Sequence, residues 1–126
     1  MIERSCKSAL VLDNEPAILT LMRYLLQQLG YEVLLAETPE EAMSGLVSTG
    51  VPSIIFSDIE LSAGKSGIAF REAVLAQFPS ARVILMSGNI CSPVDGAFFL
   101  SKPFSLASVS EVIDKINSTA ELKILQ

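Results

Sequence analysis

The stretch LVLDNEPAIL, residues 10–19, joins a short apolar segment to an acidic turn and then to the start of a helix. Residues 8–12 are apolar and bounded by polar residues, which is typical of a buried parallel strand. Asn14 can cap the helix that Pro16 opens, because Pro is favoured at the first helical position. Apolar residues then recur at helical spacing until Gly30. This stretch therefore predicts a strand followed by an amphipathic helix.

The same alternation recurs along the rest of the chain. Further strands are predicted at residues 31–36, 53–57, 82–86 and 97–101. Further helices are predicted from Thr38, which forms a capping box with Glu41, to about Val47, then at residues 67–77 and after Ser105. Strands that alternate with helices predict an α/β domain with a doubly wound parallel sheet and helices on both faces.

The connection between the fourth and fifth strands is unusually short. It comprises residues 88–96, whereas a parallel crossover with its helix usually needs at least about ten residues. Unless the strands end a few residues from the predicted bounds, the helix at this position is shortened or absent. Part of one sheet face would then be open to a partner.

Composition limits the class of protein. The 126 residues are half apolar, which suits a single domain over residues 1–126 that needs no disulfide or structural metal. Cys6 and Cys91 lack the CxxC spacing of a metal or redox site. We find no apolar run long enough for a signal peptide or a membrane span, so we expect a cytoplasmic protein without membrane contact.

The charged and titratable residues indicate which further functions are not expected of this protein. The net charge is −5 and the nine Lys and Arg residues are scattered, which argues against direct binding of nucleic acid. The chain contains no histidine, the commonest general base. Its chemistry must therefore use carboxylates, hydroxyl groups and lysine.

Polar residues follow four of the predicted strands. Asp13 and Asn14 follow the first strand, Asp58 the third, Ser87 the fourth and Lys102 the fifth. Ligands of open parallel sheets bind beyond the carboxyl ends of the strands, so these side chains are expected at one edge. Taken singly, such residues are more often helix caps, turn residues or solvated charges. Their common position is what predicts a site.

Four motifs together resemble the receiver domain of bacterial response regulators, in the CheY-like superfamily. They are LVLDNEPAIL at residues 10–19, IIFSDIELSAGKSG at 54–67, VILMSG at 83–88 and FFLSKPF at 98–104. The resemblance extends from about Ala9 to about Asn117. It implies a flavodoxin-like fold with five parallel strands in the order 2-1-3-4-5.

The resemblance also implies a phosphorylation site. Asp58 would be the phosphoacceptor, with Mg²⁺ held by Asp13, Asn14, Asp58 and the backbone carbonyl of Glu60. The cation is needed because a carboxylate and a phosphoryl dianion repel each other. The family has an acid where this chain has Asn14, so we expect weakened Mg²⁺ binding.

Three further residues have implied roles. Lys102 would pair with Asp58 or with a phosphoryl oxygen, Ser87 would be the hydroxyl switch, and Phe99 would move inward when Ser87 moves. The family also implies a cis peptide bond between Lys102 and Pro103.

The leading hypothesis is a non-enzymatic receiver that is phosphorylated on Asp58 by a histidine kinase or a histidine phosphotransfer protein and signals to a protein target. The alternative is a pseudo-receiver that binds proteins without phosphorylation, which Asn14 and the short crossover favour. A third hypothesis, an enzyme with Asp58 as nucleophile, is the weakest because no glycine-rich phosphate or flavin loop is present. The target, homodimer formation and attachment to a longer regulator stay open.

Overall fold

We describe a computed structural model of the protein. The structure describes residues 7–88 and 96–125, and within these ranges it describes side chains as far as residue 118. One sheet contains five parallel strands in the order β2-β1-β3-β4-β5. The strands are β1 Lys7–Leu12, β2 Tyr31–Ala36, β3 Ile54–Asp58, β4 Val83–Ser87 and β5 Phe98–Ser101. The described ranges contain four α-helices, α1 Pro16–Gln28, α2 Pro39–Thr49, α3 Gly67–Gln77 and α4 Leu106–Leu125. The predicted flavodoxin-like order is confirmed.

The winding of the sheet reverses at β1. This strand pairs with β2 on one side, where Leu10 lies opposite Leu34, and with β3 on the other, where it lies opposite Ile55. The carboxyl ends of β1 and β3 therefore flank the point at which open α/β sheets bind their ligands.

The central strands β1 and β3 contribute alternate residues to two separate cores, whereas the edge strand β5 contributes to one of them. Val11 and Phe56 pack against α1 and α4 on one face, and Leu10 and Ile55 pack against α2 and α3 on the other. All four side chains are buried, as expected for strands covered on both faces. This two-sided burial explains why the strands read as continuous apolar runs.

The helix starts follow local signals in the sequence. Thr38 Oγ1 accepts the backbone N–H of Glu41 at 3.1 Å, and the Glu41 carboxylate accepts the backbone N–H of Glu37 at 2.7 Å. At the start of α4, Ser105 Oγ accepts the backbone N–H of Ser108 at 3.1 Å. Thr38 and Ser105 are confirmed as caps, and each satisfies a backbone donor that the first turn leaves unpaired. The second bond of the predicted capping box differs, because Glu41 bonds the N–H of Glu37 and not that of Thr38.

Some predictions need correction. The N-cap of α1 is Glu15, and no side chain caps the helix from that position, whereas we expected Asn14 to do so. Asp13 Oδ1 instead accepts the backbone N–H of Glu15 at 2.8 Å, and Asn14 is exposed. β1 begins one residue earlier than predicted, and β3 and β4 are each displaced by one residue.

The predicted loss of a helix between β4 and β5 concerns residues 89–95, which lie outside the described residues. Elsewhere, α4 continues to Leu125. None of the helices in the described ranges is sufficiently long and apolar to span a membrane.

Candidate functional site

Two acidic side chains lie where the winding of the sheet reverses. Asp13 directly follows β1 and donates its backbone N–H to the carbonyl of Ala36 at 3.1 Å. Asp58 is the last residue of β3 and lies opposite Met86 of β4. Backbone pairing with the neighbouring strands therefore places both carboxyl groups at the same edge of the sheet.

Lys102 joins these two acids from the end of β5. Its backbone N–H donates to the carbonyl of Ser87 at 2.9 Å, and its peptide bond with Pro103 is cis, as the resemblance implied. Its Nζ lies 3.3 Å from Asp13 Oδ2 and 3.3 Å from Asp58 Oδ1. Three of the predicted site residues are thus in direct contact.

The charged side chains of the site lie close together and are largely shielded from water, and both conditions change their pKa values. The side chain of Asp13 is fully buried, that of Asp58 is 9% exposed and that of Lys102 is 18% exposed. Burial and then the negative charge of Asp13 raise the pKa of Asp58, against the opposing effect of Lys102. Burial alone would lower the pKa of Lys102, but the charges of Asp13 and Asp58 outweigh it and raise this pKa.

Gly67 lets the chain return close to Asp58. Its N–H donates to the carbonyl of Ile59 at 2.8 Å, and a Cβ at this position would lie 1.9 Å from the backbone oxygen of Asp58. Such a contact is sterically impossible, so α3 can begin here only with glycine. Sequence analysis missed this role, although a glycine at the end of the loop after Asp58 was the available signal.

The loop between β3 and α3 is held by its own contacts. Glu60 and Ser66 form an isolated antiparallel bridge around a short 3₁₀ turn at Ser62–Gly64. Lys65 forms an ion pair with Glu40 in the first turn of α2. These contacts hold the backbone that follows Asp58 at the edge of the site.

The other predicted site residues lie near these groups or on the same strands. Ser87 is nearly buried at the end of β4, and Asn14 and Glu60 are exposed. Phe99 is half-buried on the edge strand β5, opposite Leu85. The roles assigned to these four residues stay predictions.

The donor groups suit a hard divalent cation. No cluster of three or more acidic or thiol side chains suitable for a metal is found in residues 7–88 and 96–118. Mg²⁺, however, needs only one or two carboxylates and keeps several waters. Asp13 and Asp58 supply two buried carboxylates that share one ammonium group. The Asn14 amide and the Glu60 carbonyl stay the predicted further oxygen donors.

Fold and site together define a flavodoxin-like α/β domain with an acidic pocket at the reversal of the sheet. Residues 9–114 match the sequence model of the response regulator receiver domain. The chain belongs to this family of two-component signalling proteins, and the resemblance seen in its motifs is confirmed.

Similar proteins agree with this assignment. The phyllosphere-induced regulator PhyR of Methylorubrum extorquens is 30% identical over 114 residues, which are 84% of this chain and 42% of PhyR. The nitrogen assimilation regulatory protein NtrX of Azorhizobium caulinodans is 25% identical over 122 residues, which are 90% of this chain and 27% of NtrX. The chain thus spans less than half the length of both relatives.

A solved structure supports the fold. The response regulator protein TrrA of Thermotoga maritima, in complex with Mg²⁺ and BeF, is 30% identical and superposes with a TM-score of 0.78. The match covers 87% of this chain and 98% of TrrA.

Proposed function

We propose that the chain is a phosphoaccepting receiver domain in which Asp58 takes a phosphoryl group from a histidine kinase or a histidine phosphotransfer protein. The observation that carries the proposal is the position of Lys102 Nζ, 3.3 Å from the carboxylates of both Asp13 and Asp58. A buried acid beside a second acid and a cation is the arrangement that acyl phosphate formation needs.

The histidine that donates the phosphoryl group lies outside these 126 residues, because they contain no histidine. A carboxylate oxygen of Asp58 attacks the phosphorus, and the phosphorus–nitrogen bond to the donor imidazole breaks. The electron pair of that bond leaves with the imidazole nitrogen. Lys102 offsets negative charge at Asp58 before transfer and on the phosphoryl oxygens afterwards. When bound, Mg²⁺ would further reduce the repulsion between the carboxylate and the incoming phosphoryl group.

Signal output in this proposal depends on two residues of the neighbouring strands. Ser87 turns its hydroxyl group toward the phosphoryl group, and Phe99 becomes more buried as Ser87 moves. Phosphorylation thereby shifts the balance between two conformations, one of which binds a downstream protein. The proposal treats residues 1–126 as a single, non-enzymatic domain that meets its phosphodonor in the cytoplasm.

Intact mass measurement after incubation with acetyl phosphate and Mg²⁺ tests the proposal. We expect the wild type to gain the mass of one phosphoryl group and Asp58→Ala to gain none. Asp114→Asn, which removes an exposed acid of α4, is the matched control and should be modified like the wild type. Chelation of Mg²⁺ should suppress the modification in the wild type and in Asp114→Asn.

A phosphorylation-independent pseudo-receiver is the second candidate. It is favoured by the neutral, exposed side chain of Asn14 at the position where the family has an acid. In that case the folded wild type would gain no phosphoryl group in the same assay. Continuous hydrolysis of an organic phosphate would contradict both candidates and indicate an enzyme.

A further inference from the structure

We propose that Glu15 supplies the second acidic charge that Asn14 does not provide, and that it thereby strengthens Mg²⁺ binding at the site. The inference rests on the proposed function, because it concerns the cation that assists phosphorylation of Asp58. It assigns a positioning role to a residue that neither the motif nor the chemistry of transfer singled out.

The contacts of Lys102 show that Glu15 faces the site. Glu15 Oε1 lies 3.6 Å from Lys102 Nζ, the same atom that contacts Asp13 and Asp58 at 3.3 Å. Three carboxylates from two strand ends and a helix start therefore surround one positive charge. The negative charges of all three carboxylates therefore attract a cation at this edge of the sheet.

The backbone holds Glu15 at this position. Its N–H donates to Asp13 Oδ1 at 2.8 Å, so its Cα is fixed relative to a buried acid of the site. Pro16 follows as the first residue of α1 and restricts the chain on the other side. The Glu15 side chain is 63% exposed and thus remains in contact with water.

The charge of Glu15 acts through water in this proposal. The three acids do not form a cluster that could ligate a metal directly within the part of the chain that the structure describes. Mg²⁺ keeps several of its waters in proteins, and an exposed carboxylate nearby attracts the hydrated ion. A carboxylate about 5 Å from a dication in screened water should change the binding constant about fivefold.

Isothermal titration of Mg²⁺ into the unphosphorylated full chain tests the inference. The chain has no tryptophan, so binding heat is a more suitable readout than tryptophan fluorescence. We expect Glu15→Gln to weaken Mg²⁺ binding about fivefold at low salt, with a much smaller effect in about 1 M NaCl. Glu15→Asp keeps the charge and should bind within about twofold of the wild type.

Glu72→Gln is the control for net charge, because it removes one exposed carboxylate from α3. It should bind Mg²⁺ like the wild type. Equal affinity of Glu15→Gln and the wild type, tighter binding by Glu15→Gln, or no Mg²⁺ binding by the wild type would each overturn the inference.

The mass assay separates this inference from the proposed function. Glu15→Gln should still acquire a phosphoryl group on Asp58 at saturating Mg²⁺. A wild type that binds Mg²⁺ with the expected dependence on Glu15 but gains no phosphoryl group would refute the function and leave the inference intact. A wild type that becomes phosphorylated but whose Mg²⁺ affinity does not change when Glu15 is replaced would refute the inference and leave the proposed function intact.

Discussion

Lys102 is the residue on which the electrostatic balance of the site depends most. It is the positive group that contacts both Asp13 and Asp58, at 3.3 Å each. Removing one partner of a buried ion pair lowers the free energy of unfolding by more than the complete ion pair raises it. The reason is that the remaining charges stay away from water. Loss of this ammonium would leave two acids side by side without compensation.

Lys102→Met should therefore destabilise the protein at neutral pH. We expect the free energy of unfolding to fall by about 2 kcal/mol at pH 7, since two neighbouring carboxylates lose their counter-charge. At pH 3 the loss should shrink, because Asp58, whose pKa is raised, is then protonated and needs no counter-charge. Urea unfolding at the two pH values measures both quantities.

Lys65→Met is the matched control for this variant. Lys65 pairs with Glu40 in an exposed position, where ion pairs contribute about 0–1 kcal/mol. Equal destabilisation by the two variants would contradict the special position of Lys102.

The raised pKa of Asp58 predicts how stability depends on pH. The folded state binds the proton of the Asp58 carboxyl group more tightly than the unfolded chain does. In the unfolded chain the pKa of this group is near 3.8, and in the folded state it is higher. As pH rises above that value, the native state loses the associated stability until Asp58 is ionised in both states. Asp58→Asn should therefore be more stable than the wild type at pH 7 and equal to it at pH 3.

Urea unfolding of Asp58→Asn and wild type across this pH range checks the sign. Asp114→Asn, which removes an exposed acid of α4, is the matched control. A wild type that is more stable than Asp58→Asn at pH 7 would mean that Lys102 outweighs burial and the charge of Asp13.

At the scale of elements, the start of α3 depends on the absence of a side chain. Gly67 lies so close to the end of β3 that any Cβ would collide with the backbone of Asp58. A backbone obstacle cannot rotate away as a side chain can, so the helix itself would have to move. The packing of α3 and the position of the phosphoacceptor are thus coupled.

Gly67→Ala should lower the free energy of unfolding by about 3 kcal/mol or more, as expected for a severe overpacking contact. Thermal or urea unfolding measures the loss. Gly88→Ala is the matched control, because a Cβ at Gly88 meets no atom of the described residues within 4 Å. It should change stability by no more than about 0.5 kcal/mol. Similar stabilities of the two variants would show that α3 adjusts at little cost.

On the scale of the whole molecule, the site links several elements at one edge of the sheet. Asp13, Asp58 and Lys102 come from the ends of three strands, and these strands are held side by side by the packed cores of the sheet. A ligand that binds this arrangement stabilises the entire fold, because the unfolded chain lacks the site.

Mg²⁺ should therefore raise the melting temperature of the protein. At a concentration about ten times the dissociation constant, the expected increase is about 5 °C. Asp13→Asn should lose most of this increase because one of the two buried carboxylates becomes neutral. Calorimetry in NaCl of equal ionic strength provides the control, and an equal increase in Asp13→Asn would place the cation elsewhere.

Much of the fold could be predicted from local patterns. Short apolar strands alternate with amphipathic helices, and the bounds of β2 and α3 were predicted without error because Gly, Pro and cap residues delimit them. The strand ends also predicted that Asp13, Asp58 and Lys102 share one edge. Asn14 was wrongly expected to cap α1, because the pattern does not show which neighbouring carboxylate takes the backbone donor.

The sequence by itself determined the order of the elements and the residue types at the strand ends, because burial periodicity and turn chemistry act over a few neighbouring residues. Only the tertiary structure decided that one ammonium contacts two acids, since Lys102 is 89 residues from Asp13 and 44 from Asp58 along the chain. The same holds for Glu15, whose approach to Lys102 depends on how α1 leaves the sheet, and for Gly67. Distances across the fold depend on the packing of all layers at once, which no local pattern encodes.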